Sequence, residues 1–220
     1  MNSSSAIVLS LLVRRLRAEL KLKLILTILL TLWVGVPYFL LQGHHFFPAI
    51  EMPSSFWDRQ IPFSDEGVWI YFSLYLLMPV GPFLMTERRD IARYASGIVM
   101  ISFIADLVFI FWPTWCPRPD INGTTAAYRM LIAMDHPFHA FPSLHAAFAV
   151  FSALCAGRVL HELRSPMLWK GVVWLWAFLI LATTLTTKQH MLADIIGGSI
   201  LGLGAYSCVF GQRGKQTSNL

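Results

Sequence analysis

Charged residues are scarce in this sequence. Only 13% of its 220 residues are Asp, Glu, Lys or Arg, about half the share that is typical of a soluble globular domain. Hydrophobic residues make up 56%, and the mean hydropathy is +0.59. This composition excludes a disordered chain, a collagen-like fibre and an ordinary cytosolic enzyme. It predicts an all-α protein that crosses a membrane several times and has no separate soluble domain.

Cysteine is also scarce, with three residues in the chain, Cys116, Cys155 and Cys208. No Cys-x-x-Cys spacing occurs. A disulfide framework or a thiolate metal site is therefore not expected.

Six apolar stretches are present, each close to the ~20 residues that a helical span requires. They predict a six-helix membrane domain over residues 24–210, preceded by a basic, amphipathic cytoplasmic segment over 1–23 and followed by a cytoplasmic tail over 211–220. The predicted spans are 24–42, 68–86, 94–113, 141–160, 167–187 and 191–210.

The basic residues predict the orientation. Thirteen of the 17 Lys and Arg residues fall in four segments that alternate spans place on one side, which the positive-inside rule makes cytoplasmic. Both termini are then cytoplasmic, as an even number of spans requires. Because the basic residues are spread over four segments, we expect anionic lipid rather than nucleic acid to be their partner. The thirteen are Arg14, Arg15, Arg17, Lys21, Lys23, Arg88, Arg89, Arg93, Arg158, Arg164, Lys170, Arg213 and Lys215.

The remaining polar residues are concentrated on the outer side. Four basic residues and six of the seven histidines are predicted to face outward, and His161 alone is cytoplasmic. Six of these ten residues fall in the loop 115–141 and in the turn 188–194. The outward-facing residues are Arg59, Arg118, Arg129, Lys188, His44, His45, His136, His139, His145 and His190.

His190 and Asp194 stand four residues apart at the start of the sixth span. On a helix this spacing puts both on one face. A carboxylate that accepts from one imidazole nitrogen leaves the other nitrogen free to act as a base or nucleophile. The alternative is a helix cap with a polar pair at the membrane surface.

The fourth span begins with Pro142-Ser143-Leu144-His145. We expect Pro142 in the first helical turn, where its missing N–H is tolerated, and Ser143 with nearby N–H groups could hold an anion. Arg118 lies between two prolines, which favour a stiff, extended segment suited to phosphate recognition. The alternatives are an ordinary helix start and an arginine that extends to the membrane interface.

These features converge in space. Spans four and six both run inward from the outer side, so His145 and His190 each lie at the positive end of a helix and at one depth. Arg118 and Lys188 are predicted at the same depth. Together they predict a phosphate-binding site.

These residues resemble the type-2 phosphatidic acid phosphatase superfamily, whose motifs are Lys-x6-Arg-Pro, Pro-Ser-Gly-His and Ser-Arg-x5-His-x3-Asp. Arg118-Pro119 matches the end of the first motif, 142–145 matches the second, and His190 with Asp194 matches the third. Phe111 and Thr183-Thr184 stand where the family has Lys and Ser-Arg. The sequence of residues 61–71, Asp135 ahead of the second motif, and the second motif itself resemble sequences of the inositol phosphorylceramide synthase branch.

The resemblance implies a metal-independent enzyme without a cofactor, acting on a lipid phosphate or polyprenyl (pyro)phosphate at the extracytoplasmic face of the cell membrane. His190 would be the nucleophile that forms a phosphohistidine, Asp194 would orient it, and His145 would be the general acid and base. Arg118, Lys188 and Ser143 would bind phosphate. Accessory roles are expected for Thr183, Thr184, Asp135 and Arg129.

Other readings remain open at this stage. Asp106 lies inside the third span, where it either forms a buried hydrogen bond or marks a proton path of a transporter. His136 and His139 could join His145 as metal ligands. The sequence also leaves open whether the enzyme hydrolyses its substrate or transfers a phosphorylated head group to another lipid, and it does not give the oligomeric state.

Overall fold

The computed structural model describes residues 3–42, 46–119 and 124–211. Within these ranges the fold is almost entirely helical, which confirms the predicted fold class. A pair of two-residue parallel strands is the exception. The elements are α1 (Ser3–Arg17), α2 (Leu20–Gln42), β1 (Ile50–Glu51), α3 (Phe56–Gln60), α4 (Val68–Phe72), α5 (Leu74–Leu77), α6 (Val80–Leu84), α7 (Arg88–Phe111), β2 (Thr114–Trp115), α8 (Ala126–Met134), α9 (Leu144–Glu162), α10 (Met167–Thr186) and α11 (Leu192–Phe210).

Five of the described helices are long and apolar enough to cross a membrane: α2, α7, α9, α10 and α11. They correspond to five of the six predicted spans. Their outward faces carry many large exposed hydrophobic side chains, above all on α2 and α10. Such faces are expected where a helix contacts lipid.

The predicted second span has a different form. It is a shorter apolar segment, Val68–Leu84, divided into α4, α5 and α6. Pro79 and Pro82 lie at its second half, and proline cannot donate a backbone hydrogen bond within a helix. The count of six spans therefore stays a prediction.

The first two basic segments of the predicted cytoplasmic side lie together at one end of the bundle. Lys23 donates to the carbonyl oxygens of Arg15 and Phe83, at 2.8 Å each. Arg15 donates to the carbonyl of Leu84 at 2.9 Å. These bonds hold α1 against the end of α6, so the segment before the first predicted span lies beside the loop after the second. Which side of the membrane this end faces stays a prediction.

Two predicted helix starts were wrong in detail. Pro142 lies outside α9, and its peptide bond with Phe141 is cis. Ser143 caps the helix instead, and its hydroxyl accepts from the N–H of Ala146. His190 precedes α11, which begins at Leu192. The physical reason is that Ser143 and Met191 are the N-caps of α9 and α11, so Pro142 and His190, which precede these caps, lie outside the first turns.

The helix α9 lies at the centre of the bundle and packs most closely against α11. A Cβ atom added at Gly198 would lie 2.2 Å from the carbonyl oxygen of Ser143, and one at Gly202 would lie 2.4 Å from that of Ala147. The two backbones are therefore in direct contact, as small residues permit in membrane helices. The contact fixes the start of α9 against the first turns of α11.

This packing makes a specific prediction for Gly198→Ala. The added methyl group must push α9 and α11 apart, and overpacking of this kind typically costs about 1–3 kcal/mol. We expect the thermal unfolding midpoint in detergent to fall by roughly 3–10 °C. Gly204→Ala is the matched control on the same helix, because nothing lies within 4 Å of the added atom. Equal midpoints for the two variants would contradict the close helix contact.

Some residues named in the predictions lie outside the described ranges. They are His44, His45, and all of the predicted tail 211–220 except its first residue, which includes Arg213 and Lys215.

Candidate active site

His190 lies in the turn between α10 and α11. Its backbone N–H donates to the carbonyl of Thr184 at 3.3 Å, and the N–H of Gln189 donates to the same oxygen at 3.1 Å. Lys188 has a φ of 55°, a conformation that reverses the chain at a helix end. The turn therefore brings His190 back over the end of α10, next to the first turn of α11.

The side chain of His190 is held through Nδ1. This atom lies 3.0 Å from the carbonyl oxygen of Ala140 and 3.6 Å from Oδ2 of Asp194. Both are acceptors, so Nδ1 carries the proton and Nε2 keeps its lone pair in the neutral ring. The predicted His190–Asp194 pair is brought together, but the nearer partner is a backbone carbonyl that the sequence did not indicate.

Asp194 is completely buried. Its Oδ2 accepts from the N–H of Met191 at 2.8 Å and from the thiol of Cys116 at 3.3 Å. Burial, together with the adjacent carboxylate, raises the pKa of the Cys116 thiol, so sulfur keeps the proton that it donates. Within the described residues, Oδ1 has no hydrogen-bond partner.

His145 stands in the first turn of α9, opposite His190. Its Nδ1 lies 3.2 Å from the hydroxyl oxygen of Tyr71, and the two rings stack with centroids 4.0 Å apart. Its Nε2 is buried and has no partner in the described part of the chain. Each histidine is thus fixed through Nδ1.

Both histidines border one cavity of about 440 Å³. Its other walls are mostly apolar and come from α2, from the segment Val68–Leu84, and from α7, α8 and α9. Along α2 it extends from Thr27 to Phe39, roughly 18 Å at the rise of an α-helix. The cavity is therefore long, apolar over most of its length and polar at the histidine end.

The two predicted phosphate-binding cations already have backbone partners. Arg118 donates through Nη1 to the carbonyl of Asp135 and through Nη2 to that of His136, the latter at 3.0 Å. Its Nε is buried without a partner among the described residues. Lys188 donates to the carbonyls of Asp58 and Ile61, at 3.0 and 2.6 Å. Both therefore connect loop segments at the histidine end of the bundle in this structure.

Among the predicted accessory residues, Asp135 alone lines the cavity. Its carboxylate accepts from Tyr38 and from Tyr71. Thr183 and Thr184 instead bond to carbonyls one turn earlier in α10, although the carbonyl of Thr184 supports the turn that carries His190.

Arg129 lies on α8 and bonds to the carbonyl of Thr124. Ser143 caps α9, where its hydroxyl oxygen accepts from the N–H of Ala146; this bond uses a lone pair of the oxygen and not the hydroxyl proton. The role of either residue toward phosphate stays a prediction.

The geometry gives little support to a metal site or to a transporter. No group of three His, Cys, Asp or Glu within the described ranges is arranged to hold a metal ion. His136 is exposed, whereas His139 is buried and stacks on Phe109. Asp106 has one carboxylate oxygen without a partner among the described residues, and it does not line the cavity.

Sequence reasoning missed Tyr71 as a partner of His145 and Cys116 as a partner of Asp194. Tyr71 ends the stretch 61–71 that resembles the inositol phosphorylceramide synthase branch, which was the available signal. The thiol carried no signal, because a lone cysteine has no spacing pattern to interpret.

Comparison with known proteins places the chain in a family. The model of the PAP2 superfamily matches residues 91–218, more than half of the chain, and this range contains both histidines and Asp194. The match confirms the resemblance seen in the motifs, while the narrower inositol phosphorylceramide synthase branch stays a prediction. No curated protein and no solved structure matches the sequence. Because the family model covers more than half of its length, the chain belongs to the PAP2 superfamily.

Proposed function

We propose that this protein is a membrane-integral, metal-independent phosphatase that acts on a lipid phosphate or polyprenyl (pyro)phosphate through a phosphohistidine. Members of the superfamily are phosphatases or phosphotransferases. The observation that carries the proposal is the pair His145 and His190, each held through Nδ1, at the polar end of one long apolar cavity. The phosphate lies between the histidines and the hydrocarbon chain along α2.

In the first step Nε2 of His190 attacks phosphorus. A P–N bond forms and the ester P–O bond breaks, while His145 gives its Nε2 proton to the leaving oxygen. The carbonyl of Ala140 and the carboxylate of Asp194 stabilise the positive charge that develops on the His190 ring. In the second step His145 takes a proton from water, the resulting oxygen attacks phosphorus, and the P–N bond breaks to release phosphate.

The negative oxygens of the phosphoryl group require fixed donors. The first N–H groups of α9 have no acceptor within the helix, and a helix N-terminus favours an anion. Arg118 is a candidate side chain, because its Nε has no hydrogen-bond partner within the described part of the chain. Lys188 and Ser143 complete the proposed phosphate-binding set. The site lies on the extracytoplasmic side of the cell membrane, where the positive-inside rule puts the starts of α9 and α11.

A second candidate is transfer of a phosphorylated head group between lipids, as in inositol phosphorylceramide synthases. Phe111 and Thr183-Thr184 replace two cationic positions of the family motifs. A phosphodiester carries one negative charge fewer than a phosphomonoester, so it requires fewer cations. This substitution pattern favours the transferase, and the chemistry at His190 is the same until a lipid hydroxyl replaces water.

We expect His190→Ala to abolish turnover of every substrate, since no nucleophile remains. We expect His145→Ala to lower turnover by about 10²–10⁴-fold, the usual contribution of general acid–base catalysis. His161→Ala is the matched control, because His161 lies at the opposite end of α9 and contacts Lys170 instead of the cavity. Near-normal turnover by purified, folded His190→Ala protein would contradict the proposed role.

A second experiment separates hydrolysis, transfer and metal dependence. Detergent-purified protein is supplied with lipid phosphates, then with an inositol-containing phospholipid donor and a ceramide acceptor, all with a chelator present. The phosphatase predicts free phosphate from the first set. The transferase predicts a new phosphodiester lipid from the second. Loss of either activity on chelation, with recovery on adding zinc, would contradict the metal-independent mechanism.

A further inference from the structure

A polar cluster lies on the cavity wall beside His145. The carboxylate of Asp135 accepts from the hydroxyls of Tyr38 and Tyr71, the latter at 3.2 Å, and from Nε2 of Gln42 at 3.3 Å. Nη2 of Arg118 lies 3.9 Å from the same carboxylate. The cluster joins α2, α4 and the residues just after α8.

Tyr71 connects this cluster to His145. Its hydroxyl oxygen is 3.2 Å from Oδ2 of Asp135 and 3.2 Å from Nδ1 of His145. The hydroxyl has one proton, and an ionised carboxylate accepts only. The proton of Tyr71 therefore goes to Asp135, and the oxygen of Tyr71 accepts from Nδ1–H of His145.

This direction fixes the chemistry of His145. Because Nδ1 keeps its proton in the neutral ring, Nε2 is the atom that gains and loses the catalytic proton. When Nε2 becomes protonated, the added charge on the ring is stabilised through Tyr71 by the carboxylate behind it. In this arrangement the base, His145, is oriented by a carboxylate, that of Asp135, and the hydroxyl of Tyr71 lies between the two.

Packing alone does not account for the cluster. A phenylalanine at position 71 would stack on His145 equally well, and a carboxylate on a mostly apolar wall is costly unless it is well hydrogen-bonded. Tyr71 is almost completely buried, so its hydroxyl has been withdrawn from water for these two contacts.

We propose that Tyr71 and Asp135 are positioning residues for His145, in a relay Asp135–Tyr71–His145 that fixes its tautomer and supports its work as general acid and base. The relay rests on the proposed function, because Tyr71 and Asp135 can support proton transfer only if His145 is the general acid and base. Tyr71 acts through His145 and does not contact phosphorus.

The test compares two substrates that differ in their need for the proton of His145. The leaving oxygen of dodecyl phosphate must be protonated, whereas that of p-nitrophenyl phosphate is stable as an anion. The quantity measured is kcat/KM, which reports the steps up to the first P–O cleavage. The central variant is Tyr71→Phe, which keeps the ring on His145 and removes only the hydroxyl.

We expect Tyr71→Phe to lower kcat/KM for dodecyl phosphate by about 10–100-fold, part of the general-acid contribution. For p-nitrophenyl phosphate we expect a loss below about threefold. In a His145→Ala background, Tyr71→Phe should add no further loss, because coupled residues are not additive. Asp135→Asn should show the same substrate pattern as Tyr71→Phe. Tyr128→Phe is the control, since it removes another buried hydroxyl, one that bonds to Thr187 and does not line the cavity.

The outcomes separate the relay from the proposed function. Suppose that His145→Ala shows a selective loss of kcat/KM for dodecyl phosphate. The relay is then overturned if Tyr71→Phe lowers kcat/KM equally for both substrates, or for neither. Full activity of His145→Ala on dodecyl phosphate would instead overturn the role of His145 in the proposed function.

Discussion

The direct contact between the backbones of α9 and α11 is the constraint on which the site depends. Gly198 and Gly202 leave no side chain between the two helices, and the N–H of Ser143 donates to the carbonyl of Asp194 at 3.1 Å. The first turns of both helices are therefore locked together. Since His145 follows Ser143 and His190 precedes α11, the same contact sets how the two imidazoles face each other. A membrane bundle held by larger side chains would allow them to separate.

The proposed site contains few charged groups for a reaction that transfers a phosphoryl group. Each histidine is held through Nδ1 by a neutral oxygen, a carbonyl for His190 and a hydroxyl for His145. A carboxylate stands behind each: the buried Asp194 lies near the first, and the partly buried Asp135 lies beyond the second. In the proposed mechanism these two imidazoles have similar surroundings but different roles, because one attacks phosphorus as a nucleophile and the other protonates the leaving oxygen. Aromatic hydroxyls, which are compatible with an apolar wall, take the place of additional charged groups.

Much of the fold could be predicted from composition, because apolar runs of ~20 residues read directly as spans. The interruption of the second span was visible only in its prolines, and the starts of α9 and α11 depended on caps that span-level reasoning does not resolve. The family motifs identified His145, His190 and Asp194, because their spacing is local. Tyr71 and Ala140 could not be found in this way, since their contacts with the histidines join residues 74 and 50 positions apart. Lys188 was selected for its charge and predicted depth, and Arg118 also for its flanking prolines and its motif match. The structure shows that backbone carbonyl oxygens compete for both cations.

The proposed mechanism depends on transfer of the phosphoryl group to His190. The most direct measurement is mass spectrometry of the wild-type protein quenched in alkali during turnover of a short-chain lipid phosphate, because a phosphorus–nitrogen bond on histidine survives alkali and is lost in acid. We expect one phosphoryl group, on His190, that disappears after acid treatment. A phosphoryl group on any other residue, or none while turnover proceeds at its normal rate, would contradict it.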